Sequence, residues 1–114
     1  MVEWEKVAQK LDISEEEVLI KLDAFLIYAQ VQLANLEDAI ERRKFSKIVK
    51  FAHKIGVKAS RLELYQISVN TEHIEILALF KRDTDYMLLF EELREAISQV
   101  HEAFILRQRE LLTR

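Results

Sequence analysis

Proline and cysteine are absent from this 114-residue chain, and glycine occurs once. Proline and glycine punctuate turns and strands, so a chain almost without them is built from long helices joined by short polar connections. Without cysteine there is no disulfide framework and no thiolate metal site. No stretch approaches the roughly 18 uninterrupted apolar residues of a membrane span. The start, Met1-Val2-Glu3-Trp4-Glu5-Lys6, carries acids and a tryptophan where a secretion signal has a basic start and an apolar run. These absences point to a soluble, cytoplasmic protein. Half of the residues are apolar, enough for a single domain over 1–114 to bury a core. The class is all-α.

Acid is missing from one region. Residues 42–61 hold eight basic side chains and no carboxylate, although the whole chain has 17 basic and 20 acidic residues and a net charge of -3. The rest of the chain is therefore strongly acidic. An asymmetry of this kind raises a question of function rather than of fold.

Apolar spacing lays out the helices. A short amphipathic segment covers 4–11, within an N-terminal helical stretch of 1–13. Ser14 and Glu17 then have the form of a capping box. Val18, Leu22, Phe25, Ala29, Leu33, Leu36 and Ile40 follow in steps of three and four, the stripe of one long helix ending near Arg42. A second helix is expected over 45–64. A polar break at Ser68-Val69-Asn70-Thr71 precedes a third over 71–81, and Asp83 or Thr84 caps a last helix from Tyr86 to about Leu112. Four main helices with short connections predict an up-down-up-down antiparallel bundle over 14–112 with a short additional N-terminal helix. The stripes are wider than the two-position seam of a coiled-coil dimer, the rival architecture. On the last helix, Phe104, Ile105 and Leu106 are expected to cover the Trp4 segment, leaving a monomer.

The second helix carries the chemistry. At about 100° per residue, Phe45, Ile48, Phe51, Ile55, Ala59 and Leu62 form its core face. His53 falls almost opposite, toward solvent. Val49, Lys50, Gly56 and Val57 lie one turn from it, and Ser46 and Ser60 two turns away. Lys47, Lys50, Lys54, Lys58 and Arg61 make a basic stripe along one edge, with no acid on the same helix to pair with it. Like charges four residues apart repel by a few tenths of a kcal/mol, so an unpaired stripe suits an acidic partner surface. Gly56 costs its helix about 1 kcal/mol relative to alanine. Local helix packing would explain it, as would open space for another molecule beside His53.

His73 and His101 read as structural. No acid lies within helical reach of His53, and no second histidine or carboxylate stands at metal-ligand spacing. An isolated exposed imidazole can still act as a nucleophile and carry a group, because it is largely neutral at pH 7.

The segment Ala52-His53-Lys54-Ile55-Gly56-Val57-Lys58-Ala59-Ser60-Arg61-Leu62 resembles the active helix of histidine-containing phosphotransfer (HPt) domains. Leu33-Ala34-Asn35-Leu36-Glu37-Asp38-Ala39-Ile40 resembles the helix before it, and the resemblance extends over most of the chain. It implies a four-helix bundle in which His53 accepts a phosphoryl group from the aspartate of a receiver domain and passes it to another. The partners implied are a response-regulator receiver and a hybrid histidine kinase. Mg²⁺ would belong to the receiver, so no cofactor of its own is expected. Ala52, Ile55, Ala59 and Leu62 match packing positions. Gly56 stands where the family has lysine, and Val57 where it has the glycine that admits the receiver. The intact apolar register favours substitution over deletion, since a deleted residue turns everything downstream by about 100°. Lys50 or Lys54 could then supply the lost positive charge. The surface expected to meet phosphate and receiver comprises Ser46, Val49, Lys50, Lys54, Gly56, Val57 and Ser60 around His53. A non-phosphorylated adaptor for a receiver or kinase is a second reading. A basic-helix nucleic-acid binder is a third, weakened by the overall acidity and by the lack of aromatics expected beside the stripe.

Overall fold

The computed structural model describes residues 2–113 and contains five helices. They are α1 (Trp4–Leu11), α2 (Glu15–Glu41), α3 (Phe45–Arg61), α4 (Tyr65–Leu79) and α5 (Tyr86–Leu112). No strand occurs among the described residues. Ser14 opens α2 as expected, its hydroxyl accepting from the Glu17 N–H at 3.1 Å. Three glutamates follow in the first turn, where the helix dipole favours negative charge. The cap of α5 is Asp85, whose carboxylate accepts from the Leu88 N–H, rather than Asp83 or Thr84.

Four helices end in one way. Asp12, Arg43, Glu63 and Lys81 adopt left-handed backbone, with φ between 51° and 60°. After α2, the Arg43 N–H donates to the Ile40 carbonyl and the Lys44 N–H to the Ala39 carbonyl. The same three-back and five-back pair closes α1, α3 and α4, the hydrogen bonding of a Schellman cap. Glycine is the residue best suited to that conformation, and here four charged side chains occupy it.

The break between α3 and α4 differs from the one expected at 68–71. The chain turns at Leu62-Glu63-Leu64, and α4 begins six residues before the expected Thr71. Ser68 and Thr71 do not interrupt the helix because their hydroxyls bond to its own carbonyls, Ser68 to Leu64 at 3.2 Å and Thr71 to Ser68 at 2.9 Å. Leu62 and Leu64 are both buried, so the turn is pinned by apolar contacts rather than by polarity.

The long helices form a closed ring of neighbours. α2 packs on α3, α3 on α4, α4 on α5, and α5 on α2, while α1 lies against α2. The particle measures 50 × 22 × 18 Å. Leu22, Leu36, Ile48, Ile55, Ile67, Ile74, Leu93 and Ile97 are fully buried at its centre, each contributing about 1.5–3 kcal/mol of apolar burial. On α3 the core face is Ile48, Ala52, Ile55 and Ala59. Ala52 enters it, whereas Phe45 and Phe51 are only half-buried. Phe104 joins the core, and Ile105 and Trp4 both pack at the edge of the same cluster, but Leu106 is exposed, and the backbone of α1 runs beside α2. Arg107 ties the end of α5 to the start of α2 through both carboxylate oxygens of Glu15, at 2.7 and 2.8 Å.

Candidate functional site

His53 stands on the outer side of α3, its side chain 60% exposed. Solvent exposure is what the apolar periodicity predicted. The ring is nevertheless not isolated, because its Nδ1 lies 2.9 Å from Glu75 Oε1 on α4. An ionised carboxylate only accepts, so in this bond Nδ1 carries the proton. Nε2 is then the nitrogen with the lone pair, and it makes no hydrogen bond among the described residues. A carboxylate behind an imidazole fixes the tautomer and favours the positive charge that develops when the far nitrogen acquires a bond.

The ring opens onto a groove between α3 and α4. From α3 it is lined by His53, Gly56, Val57, Ser60 and Arg61, and from α4 by Ser68, Thr71, Glu72, Glu75, Ile76 and Leu79. Of the residues expected around His53, the groove therefore gathers Gly56, Val57 and Ser60. Ser46, Val49, Lys50 and Lys54 lie outside it. Ile76 and Leu79 are exposed apolar side chains, so the floor and far wall are partly greasy.

Gly56 has a cause other than open space. A Cβ built there would meet Thr71 Oγ1 at 2.6 Å and Thr71 Cβ at 3.4 Å. The glycine lets α4 approach α3 within the groove and does not provide an approach for a separate molecule. This close packing of the two helices brings Glu75 within reach of His53.

Apart from Arg61, which reaches the groove as well, the basic stripe occupies the other edge of α3. Lys50 and Lys54 hold their ammonium groups 5.5 and 5.7 Å from the Phe51 ring centre, and Lys58 sits 4.3 Å from that of Tyr28 on α2. Such cation–π contacts hold the stems without neutralising the charge. Among the described residues, Lys47, Lys50, Lys54, Lys58 and Arg61 form no ion pair with a carboxylate. His53 thus divides a positive edge from an α4 side bearing Glu72 and Glu75. His73 and His101 are both exposed and make no side-chain hydrogen bond among the described residues, so neither has the structural role expected of it. No group of three or more histidines and carboxylates able to hold a metal occurs among them either.

Glu75 and Thr71 do not emerge from periodicity, because both depend on where the chain turns: Ser60–Ser68, Gly56–Thr71 and His53–Glu75 are near-mirror positions about residues 62–64. A turn placed at 68–71 puts the mirror of His53 near Tyr86, beyond the end of α4. No protein-family model matches the chain, and no curated protein or solved structure is detectably similar to it.

Proposed function

We propose that this chain is a histidine phosphotransfer protein, in which His53 carries a phosphoryl group between a hybrid histidine kinase or receiver domain and a second receiver. The observation that carries this reading is the bond from His53 Nδ1 to Glu75, which leaves an exposed Nε2 as the nucleophile. Nε2 attacks the phosphorus of a receiver's phospho-aspartate, the P–O bond to the aspartate breaks, and the carboxylate returns to the receiver. Glu75 offsets the positive charge of the substituted ring. The receiver's own Mg²⁺ would neutralise the phosphoryl oxygens, so the carrier needs little machinery beyond a presented ring.

The ring of helix neighbours and the three-residue connections at 12–14, 42–44 and 62–64 support an antiparallel up-down-up-down four-helix bundle with α1 appended. Lys50 and Lys54 would steer the docking of an acidic receiver face and raise its encounter rate. Ile76 and Leu79 offer it apolar contact. This activity belongs in the cytoplasm, beside kinases and receivers.

One observation favours the adaptor reading. Val57, branched and half-exposed, lines the groove at the position where phosphotransfer domains resemble one another in having glycine. The two readings separate when the chain is incubated with a phosphorylated receiver domain, Mg²⁺ and labelled phosphate. Acid-labile label on the wild type, absent from His53→Gln, is the expected result. Receiver binding with no label transfer would establish the adaptor instead.

A further inference from the structure

The outer face of α2 is apolar where it should be polar. Ile20, Ile27 and Val31 are 70%, 64% and 57% exposed. Ala24 and Ala34, also exposed, complete a series at steps of four, three, four and three. Single exposed apolar residues are ordinary on a protein surface, but five on one line are not. The opposite face of the same helix buries Leu22, Phe25, Ala29, Leu33 and Leu36 in the core. A helix that is apolar on both faces is normally covered on both. The outer series has the heptad spacing of a helix that pairs with another helix, and it runs about 21 Å.

Charge around this seam identifies the other helix. Along the edge toward α3, Lys21 shares a groove with Lys58 and Arg61 and with Ala24 of the seam itself. On the wheel, Asp23, Glu37 and Glu41 lie on the opposite edge, toward α5. Glu95 of α5 lies on that side too, and Arg94 beside it is already paired with Glu91. One flank is positive and the other negative. Two copies joined in parallel bring the positive flank of one against the negative flank of the other, whereas an antiparallel pair sets like against like. In the parallel register Glu16 of one copy comes opposite Lys21 of the other, and Asp23 approaches Lys58 where it caps Tyr28.

We infer that two copies of this chain associate through the Ile20–Ala34 face of α2, in parallel. Glu17 at one end and the Asp38–Arg42 ion pair at the other bound the seam, which confines the contact to its apolar middle. The seam is short against the ~800 Å² per partner of a stable interface, so the dimer is weak and depends on concentration. His53 and Glu75 lie outside it, in the groove between α3 and α4. This dimer departs from the monomer expected where Phe104, Ile105 and Leu106 cover the Trp4 segment, because the face that pairs lies on α2 instead.

Sedimentation equilibrium of the full chain from about 1 µM to about 1 mM, the range weak association spans, is the first test. The mass should rise from monomer to dimer, and Ile27→Glu should remain monomeric with unchanged helicity, because Ile27 is an exposed side chain. The chain has no cysteine, so orientation can be read by oxidising a single-cysteine variant. Ala34→Cys should cross-link in a parallel pair. In an antiparallel pair centred on Ile27 the two sites are about 21 Å apart, beyond the reach of a disulfide. A monomer throughout the range, a dimer indifferent to Ile27→Glu, or cross-linking of Ile27→Cys without Ala34→Cys would each overturn the inference.

Discussion

Gly56 of α3 and Thr71 of α4 face one another so closely that a β-carbon at position 56 would stand 2.6 Å from the Thr71 hydroxyl. Thr71 cannot readily withdraw: it is 1% exposed and its hydroxyl donates to the Ser68 carbonyl. Helix propensity alone would make alanine at 56 the better residue by about 1 kcal/mol. Packing reverses that sign.

Gly56→Ala should therefore destabilise the protein, by about 1–3 kcal/mol, as overpacking of a close contact does. Urea unfolding checks it. Removing the hydroxyl with Thr71→Ala in the same chain should recover part of the loss, so the double variant falls short of the sum of the single changes. A stabilised Gly56→Ala protein would mean that the helices are free to separate.

Glu75→Ala should leave the fold intact while releasing the ring, since Glu75 lines an open groove and its one ion pair among the described residues is with His53. Nitrogen chemical shifts of the His53 imidazole above neutral pH report which nitrogen holds the proton. The wild type should show the proton on Nδ1, and Glu75→Ala should lose that preference. The phosphoryl transfer proposed for His53 should slow by about tenfold or more, because the carboxylate that sets the tautomer of a reacting histidine is lost.

At the helix ends, Arg43→Gly should raise stability by about 1 kcal/mol, because a β-carbon in left-handed backbone is strained and glycine is not. Lys81→Gly should do the same. Urea midpoints decide the matter, with Glu102→Gly, in the interior of α5, as a control that should lose stability.

Alkali should weaken the fold through Tyr86. Its phenol is buried, and burial, assisted by the nearby negative charge of Asp83, raises its pKa above the ordinary 10.0. The hydroxyl also donates to the Arg82 carbonyl at 2.7 Å, which only the protonated form can do. A raised pKa in the fold means the contribution is complete below about pH 10 and is lost as pH climbs through the folded value. Tyr86→Phe should flatten that part of the pH–stability curve, measured by denaturant midpoints between pH 8 and 11.

The five-helix content was legible in the sequence because proline and glycine are scarce and the stripes of α2 and α5 are long. The Ser14 cap, the start of α3 and the exposure of His53 followed from the same patterns. The turn after α3 was hidden for a physical reason. It is made by two buried leucines around a left-handed glutamate, and nothing in Leu62-Glu63-Leu64 marks a turn in a single sequence. That one displacement concealed the partners of both His53 and Gly56, which are tertiary contacts across the hairpin. The outer stripe of α2 was visible but eclipsed by the inner one.

Nδ1 of His53 meets an acceptor that belongs to another helix, 22 residues along the chain. The tautomer of the ring is therefore a tertiary property, acquired only when α3 and α4 have docked. An unfolded or partly folded chain presents an ordinary imidazole, with its proton free to sit on either nitrogen. The reactivity proposed for Nε2 is in this way tied to foldedness, and any event that parts the two helices removes the tautomer preference without touching the ring.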